Sequence, residues 1–307
     1  MARLARYTWW VLVYNLAVIA WGAYVRATGS GAGCGQHWPL CNGEVVVRPD
    51  TTEMLIEFSH RATSGIALIT VVILFVWARR ATPVGHPLRL GANLSLGFML
   101  SEAALGAGLV LFQLVANDAS AARAFAVAAH LLNTFLLLAS LALSGWWASG
   151  GRALSLTRRG DVARLALNAG ALLLVSCAGA ITALGDTLFP SASLAEGINA
   201  DLSSTAHFLI RLRTIHPVLA VMASVYLLTS VWQSAGGRPL GRTLAQSLMW
   251  LVVLQLLLGV VNVMLLAPVT VQLLHLLLAD LVWIGYVLLA ADTLAVPPQT
   301  SGSTARA

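Results

Sequence analysis

Charge is what this sequence has least of, and lysine is missing altogether. Only 10% of the 307 residues are charged, all of the basic ones arginine, against about 25% charged residues in a typical soluble domain. With 58% hydrophobic residues, most of the surface must face something other than water, which excludes an ordinary soluble protein. Cysteine is scarce too, with three in the chain. No apolar run is broken midway by glycine or proline pairs, which makes a transporter a weak reading.

What is present is one pattern repeated: apolar runs separated by short polar stretches. Each run is long enough to cross a hydrocarbon core, which takes about 20 residues. Eight spans are expected, near 8–27, 53–78, 88–114, 124–147, 162–184, 204–232, 243–267 and 269–292. The first is too long for the h-region of a signal peptide and lacks a small-residue cleavage site, so it reads as a helix of the mature protein.

The formal net charge of +6 reports topology rather than a nucleic-acid partner. Twelve of the 18 arginines lie in the N-terminal tail, the connections after spans two, four and six, or the C-terminal tail. The acids Glu44, Asp50, Glu53, Asp118, Asp186, Glu196 and Asp201 gather on the other side. The positive-inside rule then makes both termini cytoplasmic and the first long loop, 28–52, external. The chain is expected to be a multi-pass protein of a cell membrane, with lipid as its surroundings and a disordered tail over 296–307.

The two halves resemble each other at an offset near 150 residues. Gly22-Ala23 in the first span matches Gly179-Ala180 in the fifth, and His60 in the second matches His216 in the sixth. Glu102-x-x-x-Gly106 in the third matches Gln255-x-x-x-Gly259 in the seventh, and His130-Leu131-Leu132 matches His275-Leu276-Leu277. With four helices per unit the copies run parallel. The expected fold is all-α, two pseudo-symmetric four-helix bundles over 1–150 and 151–295.

Four of the seven histidines lie inside spans: His60, His130, His216 and His275. Ionisable residues in a bilayer are costly and by default face a bundle interior. All four occupy even-numbered spans, several residues from the outer ends, so each bundle brings two imidazoles to one level. That is what bis-axial haem ligation requires. Interhelical hydrogen bonding is the bland alternative for any one histidine. Zinc is disfavoured because neither bundle offers obvious third and fourth ligands. His207 has no repeat partner and reads as structural.

The halves differ beside those histidines. Glu57 shares a helix face with His60 and Arg61, whereas the equivalent position in the second half is Arg213. This asymmetry suggests one catalytic haem, with Glu57 moving protons, and one electron-transfer haem. A plain Glu57–Arg61 ion pair is the alternative. Arg26, Arg61, Arg211 and Arg213 stand near outer helix ends, where they suit either snorkelling or clamping of haem propionates. Cys34 and Cys41 share the glycine-rich outer loop, in a compartment where disulfides persist. A structural staple and a redox-active pair are both open. Cys177 reads as a packing residue.

Taken together, these residues resemble the bacterial haem A synthase family. The likeness rests on the Cys34–Cys41 loop with Trp38-Pro39-Leu40-Cys41-Asn42-Gly43, Glu57-x-x-His60-Arg61, His130-Leu131, His216-Pro217, Gln255-x-x-Leu258-Gly259-x-x-Asn262-Val263 and His275-Leu276. It implies oxidation of the C8 methyl of haem O to a formyl group, for terminal oxidase biogenesis. His60 and His130 would hold the substrate haem O, and His216 and His275 a haem b. Glu57 would be the essential carboxylate, and Cys34 and Cys41 the functional loop pair. A haem O synthase would supply the substrate, a terminal cytochrome oxidase would receive the product, and an electron acceptor is required. Glu102 departs from the pattern, where glutamine is expected; it could add a proton path or simply hydrogen-bond. A two-haem electron-transfer cytochrome b and a haem carrier are the rival readings.

Overall fold

Hydrocarbon offers a peptide group no hydrogen-bond partner, so a chain this apolar must satisfy its backbone within helices. The computed structural model describes residues 1–44, 47–235 and 238–296, and these are helical apart from their connections. Nearly all of the expected tail, 297–307, lies outside the described residues. Eight helical segments are long and apolar enough to cross a membrane. In order, the elements are α1 (Ala2–Ala27), α2 (Thr52–Ala81), α3 (Pro87–Leu111), α4 (Ala121–Ala148) and α5 (Arg159–Leu188). They continue as α6 (Leu194–Leu202), α7 (Phe208–Leu212), α8 (Ile215–Ala235), α9 (Pro239–Met264) and α10 (Val269–Leu294).

The ends of the helices follow local chemistry rather than hydropathy. Thr51 and Ser120 cap α2 and α4 by accepting hydrogen bonds from the amides of Met54 and Arg123, the usual repair for unpaired first-turn donors. Pro87 and Pro239 open α3 and α9, where the missing N–H is harmless. The apolar runs of the third and seventh spans continue to 114 and 267, yet the helices stop at Leu111 and Met264. Gln113 and Ala116 in one connection, and Leu266 and Ala267 in the other, have positive φ. Hydropathy is blind to such a turn when leucine and alanine make it.

The sixth span, expected as one helix from 204, is two. The chain enters through α6, which hydropathy did not indicate, then forms α7, and breaks at Arg213-Thr214 before α8. Pro217 supplies the reason. It has no N–H to offer the carbonyl of Arg213, four residues earlier, and its ring crowds that carbonyl.

Helices α1 to α4 pack in a ring, α1 on α2, α2 on α3, α3 on α4 and α4 on α1. Helices α5, α8, α9 and α10 do the same in that order. The most buried spans are α4 and α10, which also pack on each other. Across that seam Trp283 donates its indole N–H to the carbonyl of Phe135 at 2.7 Å, and the two rings stack with centroids 5.6 Å apart. Cys177 on α5 lies against the carbonyl of Ala128 on α4. The seam is therefore packed protein, not a lipid-filled cleft.

The Trp283 hydrogen bond should be separable from its packing. Trp283→Phe should lower unfolding stability by about 1 kcal/mol, and Trp283→Ala by about 3–5 kcal/mol, read by circular dichroism melts in detergent. Equal melting temperatures for Trp283→Ala and the parent would show that the seam contributes nothing to stability.

Candidate functional site

Each of the four in-span histidines lies against a glycine of the neighbouring helix. A methyl group placed on Gly22 of α1 would sit 2.8 Å from Cε1 of His60, and one on Gly179 of α5 would sit 2.9 Å from Cε1 of His216. The same construction at Gly259 of α9 reaches Cε1 of His275 at 3.2 Å, and at Gly106 of α3 it reaches Cε1 of His130 at 3.9 Å. A real Cβ would collide in the first two cases and crowd the third. Here glycine supplies space rather than an unusual φ. All four glycines belong to the repeat matches, so the signal was in the sequence although its meaning was not.

In the second ring the structure brings the two imidazoles together. The rings of His216 and His275 have centroids 6.4 Å apart and stand nearly perpendicular, at 89°. Imidazole nitrogens bind a metal at about 2.0–2.1 Å, which places two ring centres roughly 6 Å apart across one ion. Nδ1 of His216 lies 3.1 Å from the carbonyl of Val175, the kind of outer contact that fixes a ligand ring and leaves Nε2 for iron. Gln255 Nε2 approaches His275 Nε2 at 3.3 Å. In the first ring Glu102 Oε1 lies 3.5 Å from His130 Nδ1. Among the described residues, the buried Nδ1 atoms of His60, His130 and His275 have no hydrogen-bond partner. In the second ring the spacing of the two imidazoles fits a haem iron between them. No three His, Cys, Asp or Glu side chains converge as a metal cluster among the described residues.

The charged residues expected beside the haems turn out to hold loops. Glu57 is buried, 3% exposed, and both its oxygens are engaged. Oε2 accepts the backbone N–H of Cys34 at 2.7 Å, and Oε1 pairs with Arg61 four residues on. Arg61 in turn donates to the carbonyls of His37 and Leu40. Cys34 and Cys41 form a disulfide, so one ion pair on α2 gathers in the stapled loop. The Glu57–Arg61 pair raised from sequence is thus present, with the added task of anchoring the loop.

Arg213 does the equivalent work with the opposite sign. It pairs with Asp186 at the end of α5 and Asp201 of α6, and donates to the carbonyl of Phe189. Its charge is thus matched by two carboxylates in this structure. Arg26 is different. It donates to the carbonyl of Ala183, the hydroxyl of Thr187 and Oε1 of Gln272, all uncharged acceptors. Arg211 contacts the carbonyl of Ser204. His207 caps α7 and stacks on Phe189, and His86 caps α3 in the same way.

Sequence reasoning missed three polar features. Arg123, 3% exposed, ties the α3–α4 connection through the carbonyls of Ala116 and Asp118. Asp280, fully buried, has both carboxyl oxygens without a partner among the described residues. Asn133 and Thr134 both bond Glu102; their spacing of three and four residues from His130 was the available sign.

The sequence comparisons agree with this architecture. The COX15-CtaA family, described as cytochrome oxidase assembly protein, matches residues 5–287. The chain belongs to this family. It is 53% identical over 297 residues to a protein of Thermus thermophilus named protohaem IX farnesyltransferase, covering 95% of this chain and 49% of that protein. It thus spans about half the length of the first curated relatives it matches. A haem A synthase of Geobacillus kaustophilus is 46% identical over 99 residues, about a third of each chain (32% and 31%). One from an Exiguobacterium strain is 33% identical over 143 residues, 47% of each. Eight apolar helices and a family of this kind make the chain a multi-pass membrane protein with bacterial relatives.

If Glu57 anchors the outer loop, its removal should loosen that loop selectively. In Glu57→Ala the Cys34 amide should exchange with deuterium at least tenfold faster than in the parent, equivalent to about 1.4 kcal/mol of local opening, with the amides of α4 unchanged. Unaltered exchange at Cys34 would rule out the anchoring role.

Proposed function

We propose that this chain is a haem A synthase, oxidising the C8 methyl of haem O to a formyl group. The observation that carries the reading is the fourfold glycine–imidazole contact, with His216 and His275 spaced for one metal between them. In this reading His60 and His130 hold the iron of the substrate haem O, while His216 and His275 hold a haem b. The residues fall into two parallel bundles, 1–150 and 151–295. Supporting the repeat, α3 and α9 end alike, with Phe112 and Leu265 both at φ −92° and ψ 8°. Arginine placement supports cytoplasmic termini.

The methyl would reach the aldehyde by two successive two-electron oxidations, through a hydroxymethyl group and a gem-diol that loses water. The net change, with oxygen counted at the level of water, releases four protons and four electrons to an external electron acceptor. Haem b supplies the redox exit for those electrons when bound. The chain's own residues bind, orient and exclude. The four glycines let the imidazoles retreat into the helix walls and leave the bundle interior for the macrocycles. Arg26, whose polar contacts are all uncharged, is the best placed of the arginines to meet a propionate. The disulfide loop closes the outer side of the first bundle, held by Glu57 and Arg61.

Glu57 as the proton-handling carboxylate remains part of the proposal, and Glu57→Gln separates the two roles. Glutamine can still accept from the Cys34 amide but cannot carry the proton. Loss of formyl formation with normal loop protection would favour proton transfer; wild-type activity would leave anchoring alone.

The Thermus relative bears the name of a protohaem IX farnesyltransferase, and about half of its length lies outside the match. That name accords with an enzyme of haem farnesylation as the supplier of haem O, and the family's description as a cytochrome oxidase assembly protein accords with a terminal oxidase as the recipient.

The decisive experiment is to co-express the full chain with a haem O synthase in a host lacking haem A, then chromatograph the extracted haems. Haem A or its hydroxymethyl precursor is the expected product. Haem O and haem b alone, on fully haem-loaded protein, would favour an electron-transfer cytochrome or a haem carrier. Gly179→Val should displace His216 and remove one haem per chain, counted by pyridine haemochrome. Two haems retained in Gly179→Val would argue against His216 as a ligand.

A further inference from the structure

The difference between the two sites that reaches the imidazoles themselves lies at Glu102 and Gln255. Glu102 stands in a polar network that the second half lacks. Thr134 Oγ1 donates to Oε1 of Glu102, and Asn133 Nδ2 donates to Oε2, each at 2.5 Å. Asn133 is itself held by Ser101, whose hydroxyl donates to Oδ1 at 2.6 Å, and by the carbonyl of Phe98 at 2.9 Å. His130 Nδ1 faces Oε1 of Glu102 at 3.5 Å, just beyond a formed hydrogen bond, and has no hydrogen-bond partner among the described residues. The repeat places Leu254, Gln255, Leu278 and Ala279 where Ser101, Glu102, Asn133 and Thr134 stand. Four polar side chains therefore correspond to one neutral amide and three apolar groups. A buried carboxylate kept without a job would be an expense in the membrane; this one is supplied with donors on both oxygens and aimed at an imidazole.

We propose that Glu102 is the positioning residue of the first haem site. Its carboxylate takes the Nδ1 proton of His130 as a hydrogen bond, fixes the ring with Nε2 toward the iron, and makes this imidazole a stronger electron donor than His275. Carboxylate–histidine–metal arrangements act in this way, orienting the ligand and raising its basicity. His275 Nδ1 has no hydrogen-bond partner among the described residues, the amide of Gln255 lying 3.3 Å from its Nε2 instead, and Nδ1 of His216 has the carbonyl of Val175. The haem held by His60 and His130 is accordingly the more easily oxidised of the two, with the lower reduction potential. This inference rests on the bis-histidine haem reading and assigns the sites different electronic characters through Glu102 and Gln255 rather than through Glu57 and Arg213.

The test is a spectroelectrochemical titration of the full-length, haem-loaded protein in detergent, with each midpoint assigned from a His275→Ala variant that keeps only the first haem. Glu102→Gln should raise the midpoint of the first haem and leave the second unmoved. Glu102→Leu should also weaken the first haem's affinity by about 10- to 100-fold. Gln255→Glu should lower the midpoint of the second haem. Two haems at unchanged potentials in Glu102→Gln, or an equal shift of both, would overturn the proposal. If Glu102→Gln fails to retain its first haem, the Gln255→Glu protein decides, and an unmoved second midpoint counts against it. A wild-type protein with no bis-histidine haem spectrum would bring down the functional reading itself, and this inference with it.

Discussion

An imidazole can lie inside an apolar bundle only where the facing helix yields its own side chain. That exchange, glycine for histidine, is required where α1 meets α2, α5 meets α8 and α9 meets α10, while between Gly106 of α3 and His130 of α4 the contact is an ordinary one. The rest of the molecule depends on it. A larger residue at Gly22 or Gly179 would collide with the imidazole of His60 or His216 and force it to move. Close helix approach at small residues is also how membrane helices gain packing energy without a hydrophobic driving force. The same glycines thus serve assembly and ligand placement.

The outer ends of the two rings show how little sign matters when a charge is used as an anchor. Glu57 gathers the disulfide loop through a backbone amide and Arg61. Arg213, at the equivalent place, gathers α6 and the end of α5 through Asp201 and Asp186. Removing one member of either pair leaves the other uncompensated, a cost that falls first on the segment the pair holds. Both sites therefore resist single substitutions for structural reasons, and kinetic losses at these positions need a structural control before they are read as chemistry.

A second difference between the halves lies deeper, at the level of the imidazoles. Asn133 and Thr134 are inconspicuous in sequence, two small polar residues in an apolar helix. They gain meaning only with Glu102 of the neighbouring helix between them and His130. Asp280 is a second carboxylate in the membrane interior, and no polar group among the described residues meets it; an unpaired charge in apolar surroundings is costly, which sets it apart from the well-supplied Glu102.

The sequence by itself determined the number of spans, the family, the four histidines and the glycines that face them. Hydrophobic length and the cost of ionisable groups in hydrocarbon act residue by residue, so they are legible in one dimension. Tertiary structure alone decided where the polar side chains point. Glu57 and Arg213 were conspicuous beside the histidines, yet a helix position fixes only a direction, and the loops that fold back to meet them lie 12 to 27 residues away along the chain. The stops after α3 and α9 were hidden for a related reason, since backbone torsion at Gln113, Ala116, Leu266 or Ala267 changes no hydropathy, whereas Pro217 marked the break before α8 within an otherwise unbroken apolar run. Glu102 was visible as an oddity, and only the approach of α4 to α3 turned it into a partner for His130.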